Sequence, residues 1–95
     1  MTDQEFHRIS KVLADPRRFR LLQRIIGSAD EEVSCQLLLK EFPIAPATMS
    51  HHLKELETSG IIESRFDGQC KFLTARTEVI QGYERELVRR LGTKR

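Results

Sequence analysis

The stretch Ala45 to Gly60, Ala-Pro-Ala-Thr-Met-Ser-His-His-Leu-Lys-Glu-Leu-Glu-Thr-Ser-Gly, gathers small and hydrogen-bonding side chains around a narrow apolar stripe. Met49, Leu53 and Leu56 recur at i, i+4 and i+7, the spacing of one helix face. Ala47, Thr48, His51, Lys54 and Thr58 lie opposite that stripe, with Ser50 and His52 on its flanks. Such a face suits hydrogen bonding to base edges in a DNA groove. It also suits an ordinary surface helix, whose outer face is polar by default. Pro46 fits the first helical position, where a missing N–H costs nothing, and Gly60 fits the position just past the end.

Other reactive residues are sparse. His51 and His52 are adjacent, so on a helix they diverge by about 100° and cannot chelate as a pair. His7 is isolated, and the two cysteines, Cys35 and Cys70, are too few and too far apart for a disulfide framework. A reduced, cytoplasmic setting fits them better. Cys35 falls at the start of a helix, where a thiol can become a redox-responsive thiolate, but free cysteine more often packs as a small hydrophobe. No nucleophile–base pair, carboxylate dyad or glycine-rich phosphate loop is visible, which argues against an enzyme and against a cofactor.

The elements that must position these residues follow from period and punctuation. Phe6, Ile9 and Leu13, with Val12 beside them, mark a helix over about 4–14. Asp15-Pro16 breaks it and starts the next, Asp15 as N-cap and Pro16 at the first position. That second helix runs to about Ile26 with Phe19, Leu22, Ile25 and Ile26 inward, and Gly27 ends it. Ser28 to Glu32 is a polar connector. Ser34 caps a third helix over Cys35–Phe42, with Cys35, Leu38, Leu39 and Phe42 inward and Leu37 outside. The tight turn Pro43–Ala45, with Ile44 packed inward, makes helices three and four a helix-turn-helix over about 34–59.

After Gly60 the period changes to that of strands. Asp67-Gly68-Gln69 between two β-prone runs predicts a hairpin over about 61–75. A helix-turn-helix followed by a hairpin is a winged helix, with Arg65, Asp67, Gln69 and Lys71 on the wing. Thr77 is the expected cap of a last helix, 78–91, striped with Val79, Ile80, Tyr83, Leu87 and Leu91 and bordered by Val88. Gly82 weakens this helix by ~1 kcal/mol relative to alanine. Gly92 to Arg95 is a frayed tail. The fold class is therefore mostly α with a two-stranded β wing, one winged helix-turn-helix domain over 1–95. Helices 4–14 and 78–91 cannot both bury their stripes in so small a core, so the leftover surface points to a two-fold dimer. Its interface is expected to hold Phe6, Ile9, Leu13, Val79, Ile80, Tyr83, Leu87 and Leu91.

Charge is distributed unevenly behind a net of +2. Residues 31–60 carry two Lys/Arg against five Asp/Glu, and residues 76–95 carry six against three. The candidate reading helix thus lies in the most acidic third, which weakens any argument from non-specific phosphate attraction. Base reading is less affected, because Glu55 and Glu57 come late in the helix. No apolar run is long enough to cross a membrane.

Leu-Ala-Asp-Pro-Arg-Arg-Phe-Arg-Leu-Leu (13–22), the stretch 45–62 and the Asp67-Gly68 wing together resemble the ArsR/SmtB family of bacterial winged-helix repressors. The resemblance spans about Phe6 to Leu91. It implies a homodimeric transcriptional regulator bound to double-stranded DNA at a palindromic operator, with Thr48, Ser50 and His51 on the reading surface. It also implies that the wing meets DNA backbone or minor groove. The full expected DNA-binding set is Ala47, Thr48, Ser50, His51, Lys54, Arg65, Gln69 and Lys71. Many members of that family hold a soft metal or arsenic(III) with a Cys-x-Cys pair on the third helix. Here those positions are Ser34 and Gln36, and the last helix has no Asp and no His. No metal site is therefore expected. Two other functions stand beside the repressor: a winged-helix protein-interaction module, and a thiol-based regulator using Cys35.

Overall fold

A computed structural model describes residues 1–28 and 32–92. Residues 29–31 of the expected connector and 93–95 of the expected tail lie outside the described residues. In chain order the elements are α1 (Asp3–Leu13), α2 (Pro16–Ile26), β1 (Val33–Ser34), α3 (Cys35–Glu41), α4 (Pro46–Thr58), β2 (Ile62–Asp67), β3 (Cys70–Ala75) and α5 (Thr77–Leu91).

α1 starts in a reciprocal cap. The Thr2 N–H donates to Glu5 Oε1 at 2.8 Å, and the Glu5 N–H donates to Thr2 Oγ1 at 3.1 Å. Phe6, Ile9 and Val12 are its buried residues, while Leu13, next to the Asp15-Pro16 break, is half-buried. Asp15 caps α2 by accepting from the N–H groups of Arg17 and Arg18. The inward face of α2 is Leu21, Leu22 and Ile25, which corrects the sequence reading at three positions: Leu21 is in, and Phe19 and Ile26 are out. Phe19 and Ile26 are 44% and 40% exposed. Each lies 100° or more around the helix from Ile25, so neither reaches the core. The Arg18 stem takes the inward edge instead, and its Nε donates to the Val12 carbonyl at 3.1 Å.

α3 is capped by Ser34 Oγ, which accepts from the Leu37 N–H. Leu38 is fully buried, and Cys35, Leu39, Phe42 and Ile44 pack against the core while only partly covered. Leu37 is on the outside, as its position on the helix requires. Gly60 takes φ +88°, the left-handed conformation that closes α4 and releases the chain into β2.

The sheet has three strands rather than two, in the order β1-β3-β2 and all antiparallel. β1 is only Val33 and Ser34, paired with Leu73 and Phe72. Two residues give no period to read, and Ser34 also serves as the cap of α3. With a neighbour on each side, β3 becomes the central strand and Leu73 is fully buried. Asp67 pairs with Cys70, so the hairpin turns on Gly68 and Gln69, one residue later than the Asp-Gly signal suggested. Gly68 supplies the positive φ of +63°.

α5 begins at Thr77, which is its first helical residue and not its cap; Arg76 is the cap residue and offers no side-chain bond. No residue of α5 is fully buried. It is tied to α1 by the Phe6–Tyr83 ring stack at 5.0 Å, a Ser10 Oγ–Tyr83 Oη hydrogen bond at 2.8 Å, and Arg90. Arg90 lies over the Phe6 ring at 4.4 Å and pairs with Asp3 at 2.6 Å. The core therefore sits between α1–α4 and the inner face of the sheet, with α5 laid along its side. No helix of the described residues is long and apolar enough to cross a membrane.

Candidate nucleic-acid interface

α4 buries Met49, His52, Leu53 and Leu56 and turns Ala47, Ser50, His51 and Lys54 to solvent, with Thr48 half-covered. The expected reading face is therefore available as one contiguous strip. Three of the four buried residues are the predicted stripe. His52, expected on the flank of that stripe, is the fourth. It is only 4% exposed, and neither ring nitrogen has a hydrogen-bond partner. Burial pushes its pKa down, Asp15 opposes that, and Arg17, Arg18 and His51 reinforce it. One hint is legible: His52 lies three residues after Met49 and four before Leu56, the spacing of neighbours on one helix face.

The wing carries its cations already paired. Arg65 makes a forked bond to Glu32, with both N–O distances at 2.6 Å, and its guanidinium lies 4.8 Å from the Phe72 ring centroid. The bond to Arg65 holds the Glu32 carboxyl below its ordinary range. Lys71 Nζ lies 2.8 Å from Glu57 Oε2, and Glu57 also accepts from the Ser64 hydroxyl. Glu57 is on α4, so this trio ties the wing to α4. Gln69 sits exposed at the hairpin tip. Nothing in the sequence marks Glu32 and Ser64, and Glu57 stands out there only as an acidic residue late in the helix, because their partners are 33, 7 and 14 residues away respectively.

The expected dimer residues divide into three groups. Phe6 and Ile9 are 7% and 1% exposed and are used inside the protomer. Leu13, Val79, Ile80 and Tyr83 are half-buried, whereas Leu87 and Leu91 are 38% and 70% exposed. Cys35 is half-buried and Cys70 exposed, both as free thiols. Among the described residues no group of three or more His, Cys, Asp or Glu side chains is placed to hold a metal ion.

Comparison with known proteins adds the context of this arrangement. The helix-turn-helix domain family matches residues 13–65. An uncharacterized HTH-type transcriptional regulator, YceK of Bacillus subtilis, is 30% identical over 81 residues, covering 85% of this chain and 80% of that protein. An arsenical resistance operon repressor of Staphylococcus xylosus is 35% identical over 68 residues. That match covers 72% of this chain but only 62% of the repressor, so the chain spans less than two thirds of its length. Among solved structures, an ArsR-like transcriptional regulator from Rhodococcus sp. RHA1 superposes with a TM-score of 0.78 at 21% identity, over 94% of this chain and 80% of that one. Reduced HlyU from Vibrio cholerae superposes with a TM-score of 0.68 at 27% identity, over 96% and 92%.

Proposed function

The chain belongs to the ArsR/SmtB-type winged-helix transcriptional regulators, and from that membership we propose that it is a homodimeric, sequence-specific DNA-binding repressor acting in the cytoplasm. The observation that carries this reading is the exposed strip Ala47, Ser50, His51 and Lys54 on a helix whose other side is anchored in the core. α4 spans ~20 Å at 1.5 Å per residue, enough to lie along one major groove. A two-fold dimer would set two such helices about one DNA turn apart, ~34 Å, so the operator would be an imperfect palindrome. His51 and Lys54 would meet base edges, Thr48 and Ser50 would frame them, and Ala47 would permit close approach of the backbone. Gln69 would reach DNA from the wing tip.

The sensing chemistry is proposed to differ from that of metal-responsive members. Ser34 and Gln36 occupy the thiolate positions, and Cys35 packs against the core instead. Repression would then respond to a signal other than a soft metal held on α3.

The test is a pair of duplexes, one selected from random sequence by the protein itself and one scrambled. His51→Ala should cost about 1–3 kcal/mol on the selected duplex and much less on the scrambled one, the mark of base readout. Equal losses on both would make His51 a positioning contact. A wild-type protein that prefers no duplex would overturn the DNA-binding reading and leave the protein-interaction module in its place.

A further inference from the structure

A cleft of about 450 Å³ lies between α1, the first turn of α2 and α4. Its lining includes His7, Arg8 and Lys11 of α1, Arg18 of α2, and His51 and Glu55 of α4. Three permanent cations thus face one carboxylate. We propose that this cleft holds a phosphate of the DNA backbone, so that α1, and not the wing, is the main phosphate grip. The proposal rests on the DNA-binding reading above and names the partner group that this surface would take.

Arg65 and Lys71 of the wing are paired with Glu32 and Glu57. Arg24, Arg76, Arg89 and Arg90 are likewise paired with carboxylates. A paired cation can take a phosphate only by releasing its carboxylate, which then binds a cation from solution, so the net counterion release is small. Arg8 and Lys11 form no ion pair with any described residue. They pay no such exchange.

His51 is at once on the exposed strip of α4 and on the rim of the cleft. If His51 enters the major groove, the sugar–phosphate strand bordering that groove passes beside it. Arg8 and Lys11, three residues apart on α1, are neighbours on one helix face. Arg18 is held at the cleft by the bond from its Nε to the Val12 carbonyl, which leaves its terminal nitrogens to serve the cleft. Phosphate contacts of this kind set register without reading sequence.

The experiment measures duplex affinity against salt concentration for the full chain. Arg8→Gln with Lys11→Gln should lower the slope of log K against log salt by about two on selected and scrambled duplexes alike. Between 50 and 200 mM salt the wild type should then lose roughly tenfold more affinity than the variant. Arg65→Gln with Lys71→Gln should change the slope by less than one. Glu55→Gln, which removes the carboxylate from the cleft, should tighten both duplexes severalfold. Far-UV circular dichroism checks that the exposed substitutions leave the fold intact. An unchanged slope in the Arg8/Lys11 variant, with the loss appearing in the wing variant, would overturn the proposal while keeping the DNA-binding reading. So would inorganic phosphate that raises the melting temperature only when Arg8 and Lys11 are present while the slope stays unchanged, because the cleft would then serve a free anion. Absence of any salt-dependent duplex binding by the wild type would overturn the DNA-binding reading and this proposal together.

Discussion

His52 is the residue at which the chain departs most clearly from the simplest helix pattern. A buried imidazole with no partner on either nitrogen is costly, because a polar group is desolvated with no hydrogen bond to offset it. Its pKa is lowered in the folded protein, so below the ordinary histidine value of about 6.5 the unfolded chain binds more protons than the folded one. The contribution of this residue to stability is thus greatest above that value and falls as pH drops through it toward the lowered folded pKa. Unfolding by urea at a series of pH values should show this loss between neutral and mildly acid pH. His52→Leu should abolish that part of the pH dependence and raise stability at pH 6 by about 1 kcal/mol, since leucine fills the site without polar atoms. A variant as sensitive to acid as the wild type in this range would place the titration elsewhere. His51, one residue away and exposed, is free for chemistry because α4 turns ~100° between the two.

At the scale of the element, two glycines separate a conformational requirement from a mere choice of residue. Gly60 closes α4 at φ +88°, and an added Cβ there would meet nothing within 4 Å. The space is open, so the cost of Gly60→Ala is backbone strain alone, about 1–2 kcal/mol. Gly82 is mid-helix in α5, and a Cβ there would come no nearer than 3.9 Å to Arg85 and 4.0 Å to Met1. Nothing in the protomer requires a glycine at that point. Gly82→Ala should therefore raise stability, by up to ~1 kcal/mol. Thermal unfolding of the two variants should move in opposite directions. A destabilising Gly82→Ala would show that another surface packs closely on α5 there. The wing is an element fixed from outside: Lys71, Glu57 and Ser64 join β3, α4 and β2, so its angle to α4 is set by a side-chain bridge as well as by the Gly60 turn.

For the whole molecule, the unburied side of α5 is the feature that a single protomer leaves unsatisfied. Leu87 and Leu91 are exposed in the outer half of α5, while Phe6 and Ile9, expected to share the interface, are already enclosed. A two-fold contact would thus be built on the outer row of α5 and the partly covered Leu13, Val79 and Ile80, with Tyr83 tied to Ser10 beneath it. Leu87→Glu with Leu91→Glu should give a folded monomer, because neither side chain is in the core and two charges resist desolvation at an interface. Sedimentation at micromolar concentration should show a wild-type dimer and a variant monomer. A monomeric wild type, or a variant that still dimerises, would remove α5 from the interface.

Local rules account for most of what could be read from the residues in order. Asp15-Pro16, Ser34, Pro46 and Gly60 each act within a few residues of themselves, so five helix boundaries and the helix-turn-helix were legible from sequence. The exposed strip of α4 was legible for the same reason: a helix turns by a fixed angle, and Met49, Leu53 and Leu56 fix which side is inside. Tertiary structure decided what depends on partners distant in sequence. β1 exists only because β3 pairs with it, and Phe19 gave way to Leu21 because the centre of the α2 face is set by what α2 meets. Arg65 and Lys71 looked like free wing cations until Glu32 and Glu57 were brought beside them, across 33 and 14 residues. A side chain's type and period are local quantities, but its burial and its ion partner are properties of the folded packing, and these determine which cations remain unpaired.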